Sequence, residues 1–216
     1  MKIVELFAGT KSISKAFERA GHQCFTIDNN ADLNPDLCID INDFTPEMLP
    51  EDFKHPDVVW ASPPCTCFSV ASIGVYWNDG QPIKEEARQA IQIVQNTIDT
   101  IQELKPKYWF IENPVGMLRT LPIMRPYLRK TATYCQYGDT RQKPTDIWTN
   151  CENWRPKKCQ AGDFCHEAAP RGSKTGTQGL DNAKDRGVIP DDLCDEIVRI
   201  CTTGHKTSTQ VTLCQR

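Results

Sequence analysis

Cys65 is the residue whose type and position most clearly suggest chemistry. It ends the Ser-Pro-Pro-Cys sequence at 62–65, directly after an apolar run at 57–61 that predicts a buried strand. Because the two prolines restrict the backbone, we expect the thiol to be held rigidly where the strand ends. A thiolate is a good nucleophile and a good leaving group, which suits an enzyme that adds to its substrate and is later eliminated. The alternative is a buried cysteine that only packs, as we expect for Cys67.

Glu112 follows a second apolar run, at 107–111, in the same way. If both runs are parallel strands, Glu112 and Cys65 meet at the same edge of the sheet. A carboxyl group in a desolvated cleft can stay partly protonated and give a proton or a hydrogen bond to a heterocycle nitrogen. The alternative is that Glu112 caps a helix or a turn.

The elements that must position these residues alternate along the chain. Apolar runs predict strands at 2–7, 23–27, 37–41, 57–61 and 107–111, with two more at 131–136 and 146–149. Apolar periodicity and helix start and stop signals predict helices at 12–20, 85–104 and 191–201. This alternation predicts an α/β fold in which helices cover both faces of a parallel sheet, with the site at the carboxyl ends of the strands.

Length and composition limit the class of protein. A chain of 216 residues with 39% hydrophobic and 25% charged residues is typical of one soluble domain with a small additional lobe. We expect 1–149 plus 186–201 to form the main domain, 150–185 a loop-rich lobe and 202–216 a polar tail. No apolar run approaches the roughly 20 residues that span a bilayer, and the first residues do not resemble a secretory signal.

Charge is distributed unevenly along the chain, although the net charge is only -3. Residues 1–114 contain 9 basic and 17 acidic side chains, whereas 115–174 contain 11 basic and 5 acidic ones. A basic segment with interspersed aromatic residues is typical of a nucleic-acid-binding face, and the alternative is a solvated lysine-rich loop. The candidate phosphate contacts in its last part are Lys157, Lys158, Arg171 and Lys174.

The chain contains 11 cysteines, and an odd number without a secretory signal argues against a disulfide framework. A structural zinc ion would explain how a lobe with few apolar residues folds. Its candidate ligands are Cys151, Cys159, Cys165 and His166. The spacing is irregular, however, and the adjacent residues 165 and 166 are not expected to reach one metal easily. Unliganded reduced cysteines are the alternative, and Cys135 replaces one ligand if its strand lies alongside.

Four short motifs, taken in order, resemble those of the cytosine-5 DNA methyltransferases. They are Glu-Leu-Phe-Ala-Gly at 5–9, Ser-Pro-Pro-Cys at 62–65, Glu-Asn-Pro at 112–114 and Arg-Gln-Lys at 141–143. The aspartate at 28, the Asp-Ile pair at 40–41 and the Gly-Val-Ile-Pro segment at 187–190 fit further family motifs. The resemblance covers about residues 1–150 and 186–201, and the Pro-Pro-Cys and Glu-Asn motifs are its most specific part.

The resemblance implies a Rossmann-like methyltransferase domain that binds S-adenosylmethionine and acts on a cytosine flipped out of DNA. Cys65 would attack C6 while Glu112 holds N3, so that C5 takes the methyl group, and loss of the C5 proton would expel Cys65. Arg141 would lie beside the flipped base and its phosphate, with Lys143 as a weaker candidate. The implied cofactor contacts are Phe7, Ala8, Gly9, Asp28 at the ribose hydroxyls, Asp40 and Ile41 beside the adenine, and Pro63.

The sequence departs from the family pattern at several places. Lys11 stands where the first loop usually has a second glycine, which either restricts the approach of the cofactor or places a cation near its carboxylate. Proline follows Asn113 in place of the usual valine, and Lys143 takes the second basic place of its motif. The usual large target-recognition domain is reduced to about 150–185. We therefore expect short or relaxed sequence selectivity, or a specificity partner protein.

The resulting hypothesis is a DNA (cytosine-5)-methyltransferase of a bacterial or phage-infected cytoplasm. The sequence leaves the oligomeric state open and favours a monomer. The covalent step does not fix the polymer or the transferred group. Cytosine modification in RNA, or transfer of a different group, is therefore the alternative within the enzyme class. A hypothesis of another class is an inactive DNA-binding relative, although a pure binder has no need of Cys65 and Glu112.

Overall fold

The computed structural model describes residues 1–160, 162–167 and 183–204, with 183 and 184 described by their backbone alone. Helices and strands alternate, with short 3-10 helices between them. The helices are α1 (Ser12–Arg19), α2 (Ile73–Tyr76), α3 (Glu85–Leu104), α4 (Ala183–Gly187) and α5 (Asp191–Thr203). The strands are β1 (Lys2–Leu6), β2 (Gln23–Asp28), β3 (Leu37–Cys38), β4 (Val58–Ala61), β5 (Trp77–Asn78), β6 (Gln81–Pro82), β7 (Tyr108–Pro114), β8 (Arg129–Thr133) and β9 (Pro144–Thr149).

Seven of these strands form one sheet in the order β3-β2-β1-β4-β7-β9-β8. The first five are parallel, but β9 runs antiparallel to β7 and β8 runs antiparallel to β9. The predicted α/β class is confirmed, and the five strands whose alternation with helices predicted a parallel sheet are parallel. The two later strands form an antiparallel hairpin. Only residues 134–143 join β8 to β9, and a parallel crossover needs a dozen or more residues.

The antiparallel end of the sheet determines which residues reach the edge where β1, β4 and β7 end. Because β8 is parallel to β7, it ends at this edge, and β9 begins there. The connection at 134–143 therefore lies beside the carboxyl ends of the parallel strands. The predicted strand at 131–136 is shorter than expected, since Tyr134–Tyr137 forms a 3-10 helix instead.

Helix α3 covers one face of the sheet and has the predicted bounds. Its buried side chains recur at spacings of three and four and pack against apolar side chains of β1, β4 and β7. Glu85 and Glu86 lie in its first turn, where negative charge is favourable beside the positive end of the helix dipole. The helix ends before Lys105, which adopts a left-handed conformation.

Helices α1 and α5 cover the opposite face. Phe17 of α1 and Leu193 and Ile197 of α5 are fully buried with Trp60 of β4. Pro190 precedes α5, where its fixed backbone angle favours the start of a helix, and Gly204 ends the helix at a φ of 77°. In the described ranges, no helix combines the length and the hydrophobicity that crossing a membrane requires.

The described part of the lobe, 150–160 and 162–167, contains no helix and no named strand. It docks on α5 through Glu196, whose Oε1 accepts hydrogen bonds from Trp154 Nε1 at 2.6 Å and from the Tyr137 hydroxyl at 3.1 Å. Phe164 is fully exposed, so this part of the lobe packs little apolar surface. Residues 168–182 and 205–216 lie outside the described residues, and the division into domains stays a prediction.

Candidate functional site

An open cleft lies at the carboxyl ends of β1 and β2. Apolar side chains and two aspartates line it. The lining residues are Leu6, Phe7, Ile27, Asp28, Asn29, Ile39, Asp40, Ile41, Pro64 and Ile93.

The turn after β1 shapes one side of the cleft. Gly9 N–H donates to Asp28 Oδ2 at 3.0 Å, and Asn30 N–H donates to Asp28 Oδ1 at 2.9 Å, so backbone amides fix this carboxylate at the end of β2. Gly9 has a φ of 50°, a conformation that glycine adopts without steric cost. Ala8 is buried, and its N–H donates to Ile27 O at 3.0 Å. Ala8 and Gly9 therefore shape the turn, and they are not among the residues that line the cleft.

Lys11 stands where the first loop of the resembling family usually has a second glycine, and its backbone is left-handed. Its φ is 56°, in the left-handed region, and it directly precedes α1. Its ammonium group donates a hydrogen bond to the carbonyl oxygen of Asn34. The side chain thus reaches to the segment after β2. The left-handed backbone angles of Lys11 are ones that glycine adopts more readily than other residues.

The two prolines before Cys65 have different positions. Pro63 is buried and its carbonyl oxygen accepts a hydrogen bond from Asn113 Nδ2 at 2.9 Å, whereas Pro64 is exposed and lines the cleft. The cofactor contact of Pro63 stays a prediction, and Pro64 is the proline that lines the cleft.

Cys65 and Glu112 lie at the ends of neighbouring strands. Ala61 of β4 pairs with Ile111 of β7, so Glu112 is one residue beyond this pair and Cys65 lies in the turn that follows β4. Burial raises the pKa of the Cys65 thiol, and the negative charge of Glu112 raises it further. Lys143 acts in the opposite direction. Thiol, carboxyl and ammonium groups therefore interact electrostatically in one site.

Glu112 is nearly inaccessible to solvent and has one neutral donor beside it. The hydroxyl of Tyr134, which is fully buried, donates to Glu112 Oε1 at 3.1 Å. Lys143 Nζ lies 4.5 Å from the centre of the Tyr134 ring and donates to Arg186 O at 2.8 Å. Burial lowers the pKa of Lys143, and the charge of Glu112 opposes this shift. Sequence reasoning missed Tyr134, because a tyrosine after an apolar strand has no distinctive signal.

A close backbone contact fixes the segment after Cys65 to the segment after Glu112. Met117 N–H donates to Phe68 O at 2.7 Å, and Ser69 and Gly116 form an isolated β-bridge. A Cβ atom on Gly116 would lie 2.0 Å from Phe68 O. Only glycine therefore permits this approach, and sequence reasoning did not identify it.

The role expected for Arg141, beside a base and its phosphate, stays a prediction. Arg141 is buried, and its guanidinium forms an ion pair with Asp139. The same guanidinium donates to the carbonyl oxygens of Asp185 at 3.2 Å and Arg186 at 3.4 Å. The donors of Arg141 thus hold the 139–143 loop against the segment before α5. Two other basic residues, Lys143 and Arg186, act on the Cys65 thiol.

Four side chains converge near this loop and form what we term the cysteine cluster: Cys135, Cys159, Cys165 and His166. Their ligand atoms all lie within 4.8 Å of one another. The expectation that residues 165 and 166 cannot both reach one point is wrong. Cys151 was predicted as a ligand but is fully buried in the core beside α5, where burial raises the pKa of its thiol to about 11.

The predicted phosphate contacts are only partly described. Lys157 and Lys158 are exposed, and Lys157 Nζ lies 5.1 Å from the centre of the Tyr137 ring. Arg171 and Lys174 lie outside the described residues.

Close to Cys65, the segment that includes α2 exposes three apolar side chains, namely Val70, Ile73 and Val75.

Comparison with known proteins identifies the family to which this site corresponds. Residues 1–122 match the family model of the C-5 cytosine-specific DNA methylases. The "probable DNA (cytosine-5)-methyltransferase" of Frog virus 3 (isolate Goorha) is 34% identical over 173 residues, which are 76% of this chain and 78% of the viral one. The type II methyltransferase M.AplI of Arthrospira platensis is 30% identical over 54% of this chain and 32% of its own length.

Solved structures support the fold. A structure described as a DNA modification methyltransferase encoded within an E. coli prophage superposes with a TM-score of 0.53 at 16% identity, covering 74% of this chain and 52% of that one. The methyltransferase EhMeth of Entamoeba histolytica gives a TM-score of 0.51 at 13% identity, covering 74% and 57%. The chain thus spans about half the length of these solved structures.

Proposed function

Because the chain belongs to the C-5 cytosine-specific DNA methylase family, we propose that it transfers a methyl group from S-adenosylmethionine to C5 of a cytosine in DNA. The family and the enzyme class that the sequence predicted are confirmed by the family model and the viral relative. The substrate polymer, the covalent mechanism and the residue roles are the proposal.

The observation that carries the proposal is the position of Cys65 and Glu112 at the ends of neighbouring parallel strands. A thiol and a buried carboxyl group at one strand edge, next to a cleft with a fixed aspartate, supply the groups that the chemistry needs. Cytosine C5 is a weak nucleophile, and a temporary covalent bond at C6 divides one difficult step into easier ones.

The chain's residues act on the base in a defined order. The Cys65 thiolate bonds to C6, and the electron pair of the C5–C6 double bond shifts so that C5 becomes nucleophilic. Glu112, in its protonated form, gives its proton to N3, so that the ring adduct is neutral, and the Glu112 carboxylate takes this proton back when the adduct breaks down. S-adenosylmethionine, when bound, would supply an electrophilic methyl group to C5, and its sulfonium would become a neutral thioether as the sulfur–methyl bond breaks. Loss of the C5 proton to solvent then restores the double bond, and the electron pair of the C6–sulfur bond returns to Cys65.

Tyr134 and Lys143 support this pair. The Tyr134 hydroxyl orients the Glu112 carboxyl through its 3.1 Å hydrogen bond. The positive charge of Lys143 favours the thiolate of Cys65, against the burial that raises the pKa of that thiol. We assign to Lys143 the role at the base that the sequence motif gave to Arg141, because the Arg141 guanidinium is held by Asp139.

The cleft fits the cofactor chemically. Asp28 is held by two backbone amides and offers a carboxylate for the ribose hydroxyls, while Asp40 and Ile41 lie where an adenine would be bound. Phe7 and Pro64 provide apolar surface toward the sulfonium.

The exposed side chains of Val70, Ile73 and Val75 are suited to fill the gap that a flipped base leaves in the duplex.

DNA is the proposed polymer because the family model and the viral relative are named for it. Lys157 and Lys158 are exposed and would contact phosphates, and Arg171 and Lys174 stay predicted contacts. The short lobe favours relaxed or short sequence selectivity, or a partner protein that adds it. Modification of RNA by the same covalent step is the competing outcome.

Trapping with a fluorinated base tests the proposal. Duplex DNA with 5-fluorocytosine cannot lose a proton from C5, so the wild-type protein should form a stable adduct in the presence of S-adenosylmethionine. Cys65→Ala should form none, and the matched control Cys67→Ala should trap like wild type. Equal trapping by wild type and Cys65→Ala, or no trapping by either, would overturn the assignment. Labelled methyl transfer to duplex DNA, single-stranded DNA and RNA then identifies the polymer.

A further inference from the structure

The cysteine cluster lies outside the reaction described above, and we propose that it binds a structural zinc ion. Three thiols and one imidazole are a ligand set that zinc uses in closed structural sites. Cys135 follows β8, whereas the other three ligands come from the lobe. A metal bound here would therefore link the lobe to the sheet.

The distances within the cluster match a tetrahedral metal site. With Zn–S near 2.3 Å and Zn–N near 2.0–2.1 Å, the edges of a tetrahedron are about 3.8 Å between sulfurs and about 3.6 Å between sulfur and nitrogen. Cys135 Sγ and Cys165 Sγ are 3.6 Å apart, and His166 Nδ1 lies 3.6 Å from Cys165 Sγ and 3.9 Å from Cys159 Sγ. A disulfide would need a sulfur separation near 2.05 Å.

Two glutamine side-chain amides donate hydrogen bonds to sulfurs of the cluster, as donors around metal-bound thiolates do. Gln142 Nε2 donates to Cys159 Sγ and Gln136 Nε2 donates to Cys165 Sγ, each at 3.1 Å. Such donors orient a thiolate and stabilise its negative charge. The backbone N–H of Cys159 also donates to Thr133 Oγ1 at 2.7 Å, which fixes this ligand against the end of β8.

The lobe needs such a link. Cys151 and Trp154 at the start of the lobe are buried, but none of the side chains at 155–160 and 162–167 is buried and Phe164 is fully exposed, so the hydrophobic effect contributes little to the order of this later part. Two backbone hydrogen bonds join it to the rest of the chain. Thr133 N–H at the end of β8 donates to Lys157 O at 3.2 Å, and Glu167 N–H donates to Thr140 O in the 134–143 connection at 2.9 Å. A metal that binds Cys135 and the lobe ligands would supply the missing cohesion.

The cluster also adjoins the site. Cys135 follows Tyr134, whose hydroxyl binds Glu112, and Gln142 stands directly before Lys143. The metal would therefore position Tyr134 and Lys143. This coupling rests on the proposed function, whereas metal binding does not.

Metal content tests the site itself. Protein purified without chelator should contain about one zinc per chain, and replacement by Co²⁺ should give the intense visible absorption of a tetrahedral cobalt thiolate. Zinc below about half an equivalent, together with a Cys135–Cys165 disulfide or freely reactive cluster thiols, would overturn the proposal. Both measurements use the wild-type chain, so they do not depend on a variant folding.

Variants identify the ligands. Cys135→Ser should lower zinc affinity at least about tenfold, and Gln142→Ala about tenfold through its donor alone. Cys38→Ser, which changes an exposed thiol outside the cluster, should keep about one equivalent. Retention of full zinc affinity in Cys135→Ser would contradict the ligand set.

Chelation tests the coupling. In zinc-free protein the pH dependence of Cys65 alkylation should move to higher pH, because Lys143 is no longer held near the thiol. An unchanged alkylation profile would contradict the coupling while leaving zinc binding intact, and loss of trapping in zinc-loaded protein would instead contradict the proposed function.

Discussion

The side-chain amide of Asn113 donates a hydrogen bond across 2.9 Å to the carbonyl oxygen of Pro63. Asn113 follows Glu112 on β7, and Pro63 lies two residues before Cys65, so this bond joins the strand of the carboxyl group to the loop of the thiol. Asn113 is fully buried. The relative position of Cys65 and Glu112 is therefore fixed by contacts directly beside them.

The close approach at Gly116 should not tolerate a side chain. In Gly116→Ala the new Cβ would meet Phe68 O at 2.0 Å, and we expect the free energy of unfolding to fall by about 1–3 kcal/mol, as in overpacked cores. Turnover should also fall as the two loops separate. Denaturant unfolding measures the first effect. Gly74→Ala is the control, because no atom lies within 4 Å of its Cβ position, and equal stability of the two variants would contradict the account.

Removing the Tyr134 hydroxyl should slow the reaction without unfolding the protein. A hydrogen bond to a charged group is worth about 1.5–3 kcal/mol, so Tyr134→Phe should lower the rate of methyl transfer roughly 10-fold to 100-fold. The matched control is Tyr137→Phe, whose hydroxyl binds Glu196 away from the site. Single-turnover rates at saturating cofactor compare the two, and a wild-type rate for Tyr134→Phe would refute the role.

Charges near Cys65 should move its titration in opposite directions. Lys143 lowers the pKa of the thiol and Glu112 raises it, so the alkylation profile should shift by about one pH unit upward in Lys143→Gln and downward in Glu112→Gln. Iodoacetamide labelling, resolved by peptide mass spectrometry, measures this in protein without DNA. Lys158→Gln, which changes an exposed lysine, should leave the profile unchanged, and parallel shifts in all three would count against the site geometry.

Glu5 should make stability depend on pH. Burial raises the pKa of this carboxyl from 4.5 to about 7, although Ser14 N–H donates to it at 2.9 Å. The folded state holds the proton more tightly, so this contribution to stability is complete below about 4.5 and is lost as pH rises through about 7. Its size is roughly 3 kcal/mol. Unfolding between pH 5 and 8 should show a flatter dependence in Glu5→Gln than in Glu18→Gln, an exposed control on α1.

The sequence allowed Cys65 and Glu112 to be placed together because each directly follows an apolar run, and parallel strands end at one edge. Helix α3 was predicted with its observed bounds, because apolar residues recur at helical spacing over its 20 residues. The two late strands were predicted with a turn between them, and they form the antiparallel hairpin of β8 and β9. The pairing of β9 with β7 was not predicted, because the neighbours of a strand in a sheet depend on contacts between distant segments.

Contacts between distant segments account for the remaining differences. Cys135 lies beside three side chains that come 24 to 31 residues later in the chain. The sequence offered Cys135 only as a replacement for one of the candidate ligands, because whether its strand lies alongside the lobe is not visible in the spacing. The Arg141 guanidinium is held by Asp139 and by carbonyl oxygens more than 40 residues away, and the latter contacts have no local sequence signal.

The central claim is that Cys65 bonds to C6 of the cytosine, and the direct test is to locate that bond. Wild-type protein should be trapped on 5-fluorocytosine DNA with S-adenosylmethionine, digested with protease and nuclease, and mapped by tandem mass spectrometry. We expect the methylated fluorocytosine mass on the peptide that contains 62–68, with fragment ions assigning it to Cys65. Attachment to Cys67 or to any other cysteine, or the absence of an adduct from active protein, would contradict the account.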